Sequence, residues 1–465
     1  MRKSTAVSSS FIDTHTHLTM EEFSCDREQV LQRALEAGVE EMIVVASHLP
    51  ESEEAIRLAS RHSFLRVAIG IHPHEAKDFS PSAWDRLRSL SREEAVVAIG
   101  ETGLDYHYHH SPRELQKEVF RRHIRWAREN HLPLIVHSRE AQSDTLAILR
   151  EEKAEEVGGV FHCFSGDWEA AQAAASMGFF LSVAGPVTYP NSRRLRQIVA
   201  SLPAHRLLLE TDCPYLAPQA LRGKRNEPAY LPLIAAAVAE IKGVTLADVA
   251  RFTSANARIL LGLGLPPPAG ATYVIRNSLY LNLTNRCPNS CIFCPRLVFT
   301  YVMGHNLQLS REPTLPELLS AVKDAESYQE VVFCGFGEPL LRLEEVKQVA
   351  RALKGRGLKV RINTNGLANL VHQRNIVPEL AGLVDAISVS LNAENAEKYQ
   401  ELCRPPWGKE SYGALKLFIR EAKRYLPRVI ATAVDHPAID AERCRQVAQT
   451  ELGVEFRLRP LQILG

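Results

Sequence analysis

The sequence predicts two α/β domains in one chain: a closed (β/α)8 barrel over residues 10–263 and a smaller, partial (β/α)6 barrel over residues 273–465. Three observations carry this. At 465 residues with 45% hydrophobic content the chain exceeds one ordinary core. The stretch "GLGLPPPAGAT" follows a helical pattern with three consecutive prolines, which cannot continue a helix, so residues 264–272 read as a linker. Short, nearly continuous apolar runs, the pattern of strands buried on both faces, recur on either side of that linker, eight before it and six after it.

In order, the first eight runs are "FIDTHTHL", "EMIVVAS", "LRVAIGIH", "AVVAIGETGLDY", "LPLIVHSR", "GGVFHCFSG", "FFLSVAG" and "LLLETDCP". Segments with helical periodicity separate them, such as "DREQVLQRALEAG", and "TLADVARFTSANARILLGL" closes the set. Eight strand-helix units over this length match a TIM-type barrel. After the linker come "YLNLTNRC", "EVVFCGFGEP", "KVRINTNG", "AISVSLN", "RVIATAVD" and "EFRLRP", with "EEVKQVARALKGRG" and "GALKLFIREAKRYL" as intervening helices. Six strands in this shorter span suit an open barrel.

Composition narrows the function. The 55 basic residues nearly cancel the 54 acidic ones, so any nucleic-acid contact is a local patch of a few phosphates. The N-terminal "MRKSTAVSSSF" lacks the apolar run of a signal peptide, and no stretch approaches the length of a membrane span, which gives the expectation of a cytoplasmic protein without a membrane partner. Nine cysteines, an odd number, argue for reduced thiols and a metal centre. Of the 17 histidines, 14 precede residue 206, so the two halves do different chemistry.

In the first half nearly every run ends in a ligating residue: His15 and His17, His72, Glu101, His137, His162 and Asp212. A parallel barrel brings the carboxyl ends of its strands to one face, so these residues converge. One histidine at a strand end is usually packed or solvated, but four histidines, His15, His17, His137 and His162, with two carboxylates suit two divalent ions about 3.5–4 Å apart. His72 and His74 in "GIHPH" either bind a substrate phosphate or a further metal, or pack. "DYHYHH" reads as a loop facing solvent or substrate, and Cys163 and Cys213 as buried thiols turned from the pocket.

The motifs "FIDTHTHL", "GIHPH", "GETGLDYH", "LPLIVHSREA", "VFHCFSG" and "LLLETDCPYLAP…RGKRNEP" resemble, in that order, the TatD family of metal-dependent hydrolases. The resemblance implies a phosphodiesterase, a deoxyribonuclease with exonuclease activity using Mg, Mn or Zn. It implies His15, His17, Glu101, His137, His162 and Asp212 as metal ligands, with Glu101 and Asp212 catalytic: Glu101 as bridge, Asp212 orienting the attacking water as general base. His72, Arg139, Arg222, Lys224 and Arg225 become candidates for phosphate contacts, because guanidinium groups grip phosphate oxygens in pairs.

In the second half "TNRCPNSCIFCPR" spaces Cys287, Cys291 and Cys294 as C-x3-C-x2-C. Structural zinc takes four ligands, commonly two cysteine pairs, and no second pair follows. Three thiolates instead suit a four-iron cluster with one open iron, unless Cys334 closes the site. "GFGEP" places glycines at the next strand end, where backbone can approach a ligand, and "INTNG" and "SVSLN" end later strands in hydrogen-bonding groups.

This half resembles the radical S-adenosylmethionine (SAM) superfamily. The resemblance implies a 4Fe-4S cluster on the three cysteines whose open iron chelates SAM, reductive SAM cleavage to a 5'-deoxyadenosyl radical, and an electron donor of flavodoxin or ferredoxin type. It implies Gly335, Phe336, Gly337, Glu338 and Pro339 near the SAM amino group, and Asn363, Asn365, Ser388, Ser390 and Asn392 near the ribose or substrate. Phe336 stands where the superfamily often has the first glycine of Gly-Gly-Glu-Pro. Arg457 and Arg459 either bind an anion or form surface ion pairs, and Cys403 and Cys444 read as isolated. The whole chain resembles the TatD-associated radical SAM proteins. The expected function is a bifunctional enzyme that hydrolyses a short nucleic acid or nucleotide and performs radical chemistry on an unknown, related substrate; the alternative is amide or ester hydrolysis of a small molecule at the same metals.

Overall fold

A computed structural model describes residues 10–264, 268–297 and 300–460. The basic N-terminal stretch before Ser10 and residues 265–267 of the proline linker lie outside the described residues. The chain divides into two compact units, Met1–Pro266 and Pro267–Gly465.

The first unit is a sheet of eight parallel strands in sequential order: β1 (Phe11–Thr16), β2 (Val39–Val45), β3 (Leu65–Ile69), β4 (Val96–Asp105), β5 (Leu134–Arg139), β6 (Gly159–Phe161), β7 (Phe180–Val183) and β8 (Leu207–Leu209). The segment after β8 closes the ring: Asp212 N donates to His15 O at 3.0 Å and His17 N to Cys213 O at 2.9 Å. The predicted barrel is therefore present. Every strand contributes to one apolar cluster, through Ile12, Ile43, Ala68, Ala98, Ile135, Val160, Phe180 and Leu208, joined by Ala257 and Leu261 of the helix Leu246–Leu261. Burying each large aliphatic side chain contributes about 1.5–3 kcal/mol.

The helices follow the apolar spacing. Arg113–Asn130 buries Val119, Phe120, Ile124 and Trp126 along one face and ends at His131 in the left-handed region. His123 on that face is structural, because its Nδ1 donates to Val119 O and its Nε2 accepts from Ile71 N. Burial brings its pKa down to about 4, which keeps it neutral.

Glycine lets β4 and β5 approach where they carry site residues. At Gly103 φ is +140°, and a Cβ would stand 2.0 Å from His137 O. Gly103→Ala is expected to destabilise the barrel by about 3 kcal/mol, since rigid backbone must move; urea unfolding measures it, and a loss below about 1 kcal/mol refutes the close-approach argument.

The second unit contains β9 (Thr272–Ile275), β10 (Ser278–Leu281), a small hairpin of β11 (Tyr301–Val302) and β12 (His305–Asn306), then β13 (Glu330–Phe333), β14 (Val360–Thr364), β15 (Ala386–Ser390), β16 (Val429–Asp435) and β17 (Glu455–Pro460). Its main sheet runs β17-β16-β15-β14-β13-β10-β9, parallel except for β9, which pairs antiparallel with β10. Among the described residues no pairing joins β17 to β9, so the barrel is open, as the six runs predict. β9 is the addition: it is short, begins at Thr272 inside the expected linker, and hairpins directly onto β10, leaving little sequence signal. Leu281, Phe333, Ile362, Ile387 and Val389 pack in one core with Val346, Val349 and Leu353 of the helix Leu343–Lys354.

Candidate metal centre and cysteine pocket

The carboxyl ends of the barrel strands bring all six candidate ligands together. Glu101, buried in the middle of the long strand β4, faces histidines on both sides. Its Oε1 lies 2.8 Å from His162 Nε2, 2.9 Å from His137 Nδ1 and 3.4 Å from His72 Nε2, while Oε2 lies 3.4 Å from His15 Nε2. Strand alternation puts His15 and His17 on one side, with their Nε2 atoms 3.2 Å apart. Asp212 Oδ1 lies 3.5 Å from His17 Nε2 and 3.8 Å from His15 Nε2.

Three sets hold their ligand atoms within 4.8 Å of one another: His15, His17 and Asp212; His15, His162 and Glu210; and His72, Glu101 and His137. The donor chemistry fits divalent cations. His17 Nδ1 donates to Val45 O at 3.1 Å, which turns the Nε2 lone pair inward. Asp105 does the same for His137, accepting from its Nε2 at 3.0 Å.

Burial disfavours ionisation of Glu101, yet His162, His72 and His15 hold its carboxyl well below the usual range. Burial also disfavours the His17 imidazolium, but Asp212 overrides it and lifts the pKa to about 9. His72, desolvated with less compensation, drops to about 4.

Sequence reasoning missed two carboxylates. Glu210 is fully buried, with its Oε1 3.6 Å from His162 Nδ1. Its signal was the spacing Glu-Thr-Asp, which places it two residues from Asp212. Asp105, inside "GLDYHYHH", accepts from His137 and His74 at Oδ2 and from His107 N and Tyr108 N at Oδ1. That motif therefore begins in β4, and its exposed part starts at His107.

The expected substrate contacts separate. His72 joins a ligand group with Glu101 and His137. Arg225 is paired by both Nη atoms with Asp26, at 2.8 and 2.7 Å. Arg139 stacks over Tyr108 and Arg222 over Tyr189. Cys213 is buried, and Cys163, partly buried at a φ of +40°, lines a cavity of about 280 Å³ with Phe164, Ser165 and Arg194, away from the ligand groups.

In the second unit Cys287, Cys291 and Cys294 line one cavity of about 140 Å³ with Cys334, Gly335, Gly337, Glu338, Asn363, Asn365, Ser390, Asn392 and Arg459. Ser388 lines a small neighbouring cavity with Asn363, Ser390 and Arg459. The three thiols are free and partly buried. Asn365 Nδ2 donates to Cys287 Sγ at 3.7 Å.

The glycines of "GFGEP" serve close approach. A Cβ at Gly335 would meet Asn282 Oδ1 and one at Gly337 the carbonyls of Thr284 and Arg286. Phe336 is buried in an ordinary backbone conformation, so a side chain is tolerated at that position. Glu338 is turned inward: it accepts from Leu340 N, Thr364 Oγ1 and Asn365 N, and burial lifts its pKa to about 7. Cys403 is not isolated. Its carbonyl accepts from Ser290 N, and Leu402 O from Ile292 N, so the end of helix Ala396–Cys403 holds the cysteine loop.

The family model for TatD related DNases matches residues 12–262. The chain belongs to that family. A model for the radical SAM superfamily matches residues 281–449, so a radical SAM domain follows the TatD domain. The TatD domain is 45% identical over 248 residues to the metal-dependent hydrolase YabD of Bacillus subtilis, covering 53% of this chain and 97% of that protein. It is 39% identical over 258 residues to the 3'-5' ssDNA/RNA exonuclease TatD of Klebsiella pneumoniae, covering 54% and 97%. Among solved structures it is similar to the TatD homologue YJJV of Escherichia coli, with a TM-score of 0.53 and 32% identity over 55% of this chain and 98% of that one. No helix among the described residues is long and apolar enough to cross a membrane.

Proposed function

We propose that the TatD domain is a dinuclear phosphodiesterase that trims short nucleic-acid ends, and that the radical SAM domain acts on a related substrate. The observation that carries the first half is the position of Glu101, whose two carboxylate oxygens face separate histidine groups. His15, His17 and Asp212 would hold one cation, His137 and His162 the other, with Glu101 between. Divalent ions bound there supply an acidified water and Lewis acidity toward phosphorus. Asp212, beside His15 and His17, would orient the attacking water and take its proton. Arg139 and Arg222, which have no acidic partner among the described residues, stand for phosphate contacts.

In the second half Cys287, Cys291 and Cys294 would hold a 4Fe-4S cluster, and the donors of Asn365 and Asn392 the SAM. The cluster supplies one electron to cleave SAM. Glu338 ties the "GFGEP" turn to the end of β14 and thereby shapes the cavity floor.

The test is one anaerobic incubation of reconstituted protein with reductant, SAM, Mn and a short oligonucleotide, products resolved by mass spectrometry, beside His162→Ala. Mononucleotides that require His162 support the phosphodiesterase. An intact oligonucleotide with both centres loaded rejects it and favours amide or ester substrates.

Two further outcomes are expected. At neutral pH the free site holds a proton on His17, whose pKa of about 9 lies above its ordinary value, and that proton must leave before His17 can ligate. Apparent metal affinity therefore rises with pH up to about 9, roughly tenfold per pH unit for each proton displaced. Titration calorimetry in buffers of different ionisation enthalpy counts the protons, and a flat profile contradicts the ligand role of His17. Asp105→Asn, which weakens the acceptor that orients His137, is expected to lower metal affinity by about 10–100-fold. Chelator competition reads this directly.

A further inference from the structure

Arg459 enters the cysteine cavity from β17, and no carboxylate meets it among the described residues. One Nη donates to Ser390 Oγ at 3.3 Å, while Nε is buried with no acceptor. Other arginines around this sheet have acidic partners, Arg361 pairing with Glu330 at 2.8 Å and Arg428 with Glu455 at 2.7 Å, whereas Arg457, two residues before Arg459 on β17, lines the same small cavity and adds to its positive charge. Burying one nitrogen of a guanidinium without an acceptor is costly, so the environment of this half-buried arginine is incomplete as it stands.

Two neighbours are incomplete in the same sense. Ser388 Oγ and Asn363 Nδ2 are buried and unpartnered, and they line a small cavity together with Arg459. Asn363 and Ser388 face each other across β14 and β15. Asn363 Oδ1 already accepts from Arg361, which turns its donor end toward the cavity. The unmet groups are donors, so what completes them is rich in acceptors. A carboxylate or phosphate has that chemistry, and the guanidinium fork matches it geometrically.

SAM carries a carboxylate too. The placement separates the two sources: Arg459 stands on β17 at the sheet edge, four strands along from β13, which ends in the Gly335–Pro339 turn. We propose that Arg459, with Ser388, Ser390 and Asn363, seats the carboxylate or phosphate of the molecule on which the radical domain acts, so that its substrate is an anion. This rests on reading the cysteine cavity as the SAM pocket.

The experiment labels arginines of the full, cluster-reconstituted chain with phenylglyoxal and reads modification of Arg459 by peptide mass spectrometry, with inorganic phosphate, with SAM, and with both. SAM affinity is measured in parallel by equilibrium dialysis for the parent chain, Arg459→Gln and Arg459→Lys. Phosphate is expected to slow Arg459 labelling at least fivefold even with SAM bound, and Arg459→Gln to keep SAM affinity within threefold. Absence of phosphate protection overturns the anion seat. Protection by SAM alone, with a tenfold or greater loss of SAM affinity in Arg459→Gln that Arg459→Lys partly restores, assigns the anion to SAM and overturns the substrate. If the parent chain holds iron yet binds no SAM, the pocket reading fails instead, and the phosphate arm still decides the seat.

Discussion

Glu101→Gln is expected to lower oligonucleotide hydrolysis by at least about 10³-fold, or about 4 kcal/mol of transition-state stabilisation. The size follows from position. A glutamine retains the volume of glutamate but has one oxygen and no charge, so it cannot face His162 and His137 with one acceptor and His15 with another. Both groups lose the anion between them, and the loss should appear as reduced metal stoichiometry as well as rate. Single-turnover hydrolysis under saturating Mn, with metal content measured on the same sample, makes the test. A variant within tenfold of the parent rate and fully metallated would rule out a bridging role. SAM cleavage in that variant should be unchanged, because the cysteines belong to the other compact unit.

The second large effect is expected from Cys294→Ala. Losing one of three thiolates should abolish cluster assembly and reduce SAM cleavage by at least about 10³-fold, since the reaction has no other source of its electron. Cys334→Ser is the companion. Cys334 is buried at the end of β13 in the same cavity, so it is one candidate for a fourth thiolate, beside Cys403, whose thiol meets that of Cys291. Retained iron and SAM cleavage in Cys334→Ser leave the cluster with an open iron. Loss of both would mean a closed, inert centre. Iron content and the visible absorption of the cluster read the outcome without any knowledge of the radical substrate.

Much of this architecture was legible because it repeats. Buried parallel strands write continuous apolar runs, and a barrel gathers the residues at the end of each run on one face, so His15, His17, Glu101, His137, His162 and Asp212 could be named as a set. The features that escaped were relational. Asp105 accepts from the His137 nitrogen turned away from Glu101, and Glu210 stands beside His15 and His162, yet no spacing rule distinguishes such a carboxylate from an ordinary buried one. Arg225 carries the same charge in sequence whether it faces a phosphate or Asp26, 199 residues away. Cys403 contributes its carbonyl to the cysteine loop, and backbone roles leave no trace in residue identity. β9 was hidden by length, its four residues being too few to establish a period.

The bonds that close the first barrel, between the His15–His17 segment and residues 212–213, also set when in the life of the chain the metal site can exist. These partners are separated by nearly the whole unit, so in a nascent chain β1 pairs with β2 on one edge while its other edge stays open until β8 has been made. Contacts of such sequence separation form late and slowly. Once they form, the ligand set is complete without any residue beyond Asp212. During synthesis from the N-terminus the histidine-rich site would therefore form while the cysteine loop is still unmade, so that, on the function proposed above, the two centres would be filled in sequence rather than in competition.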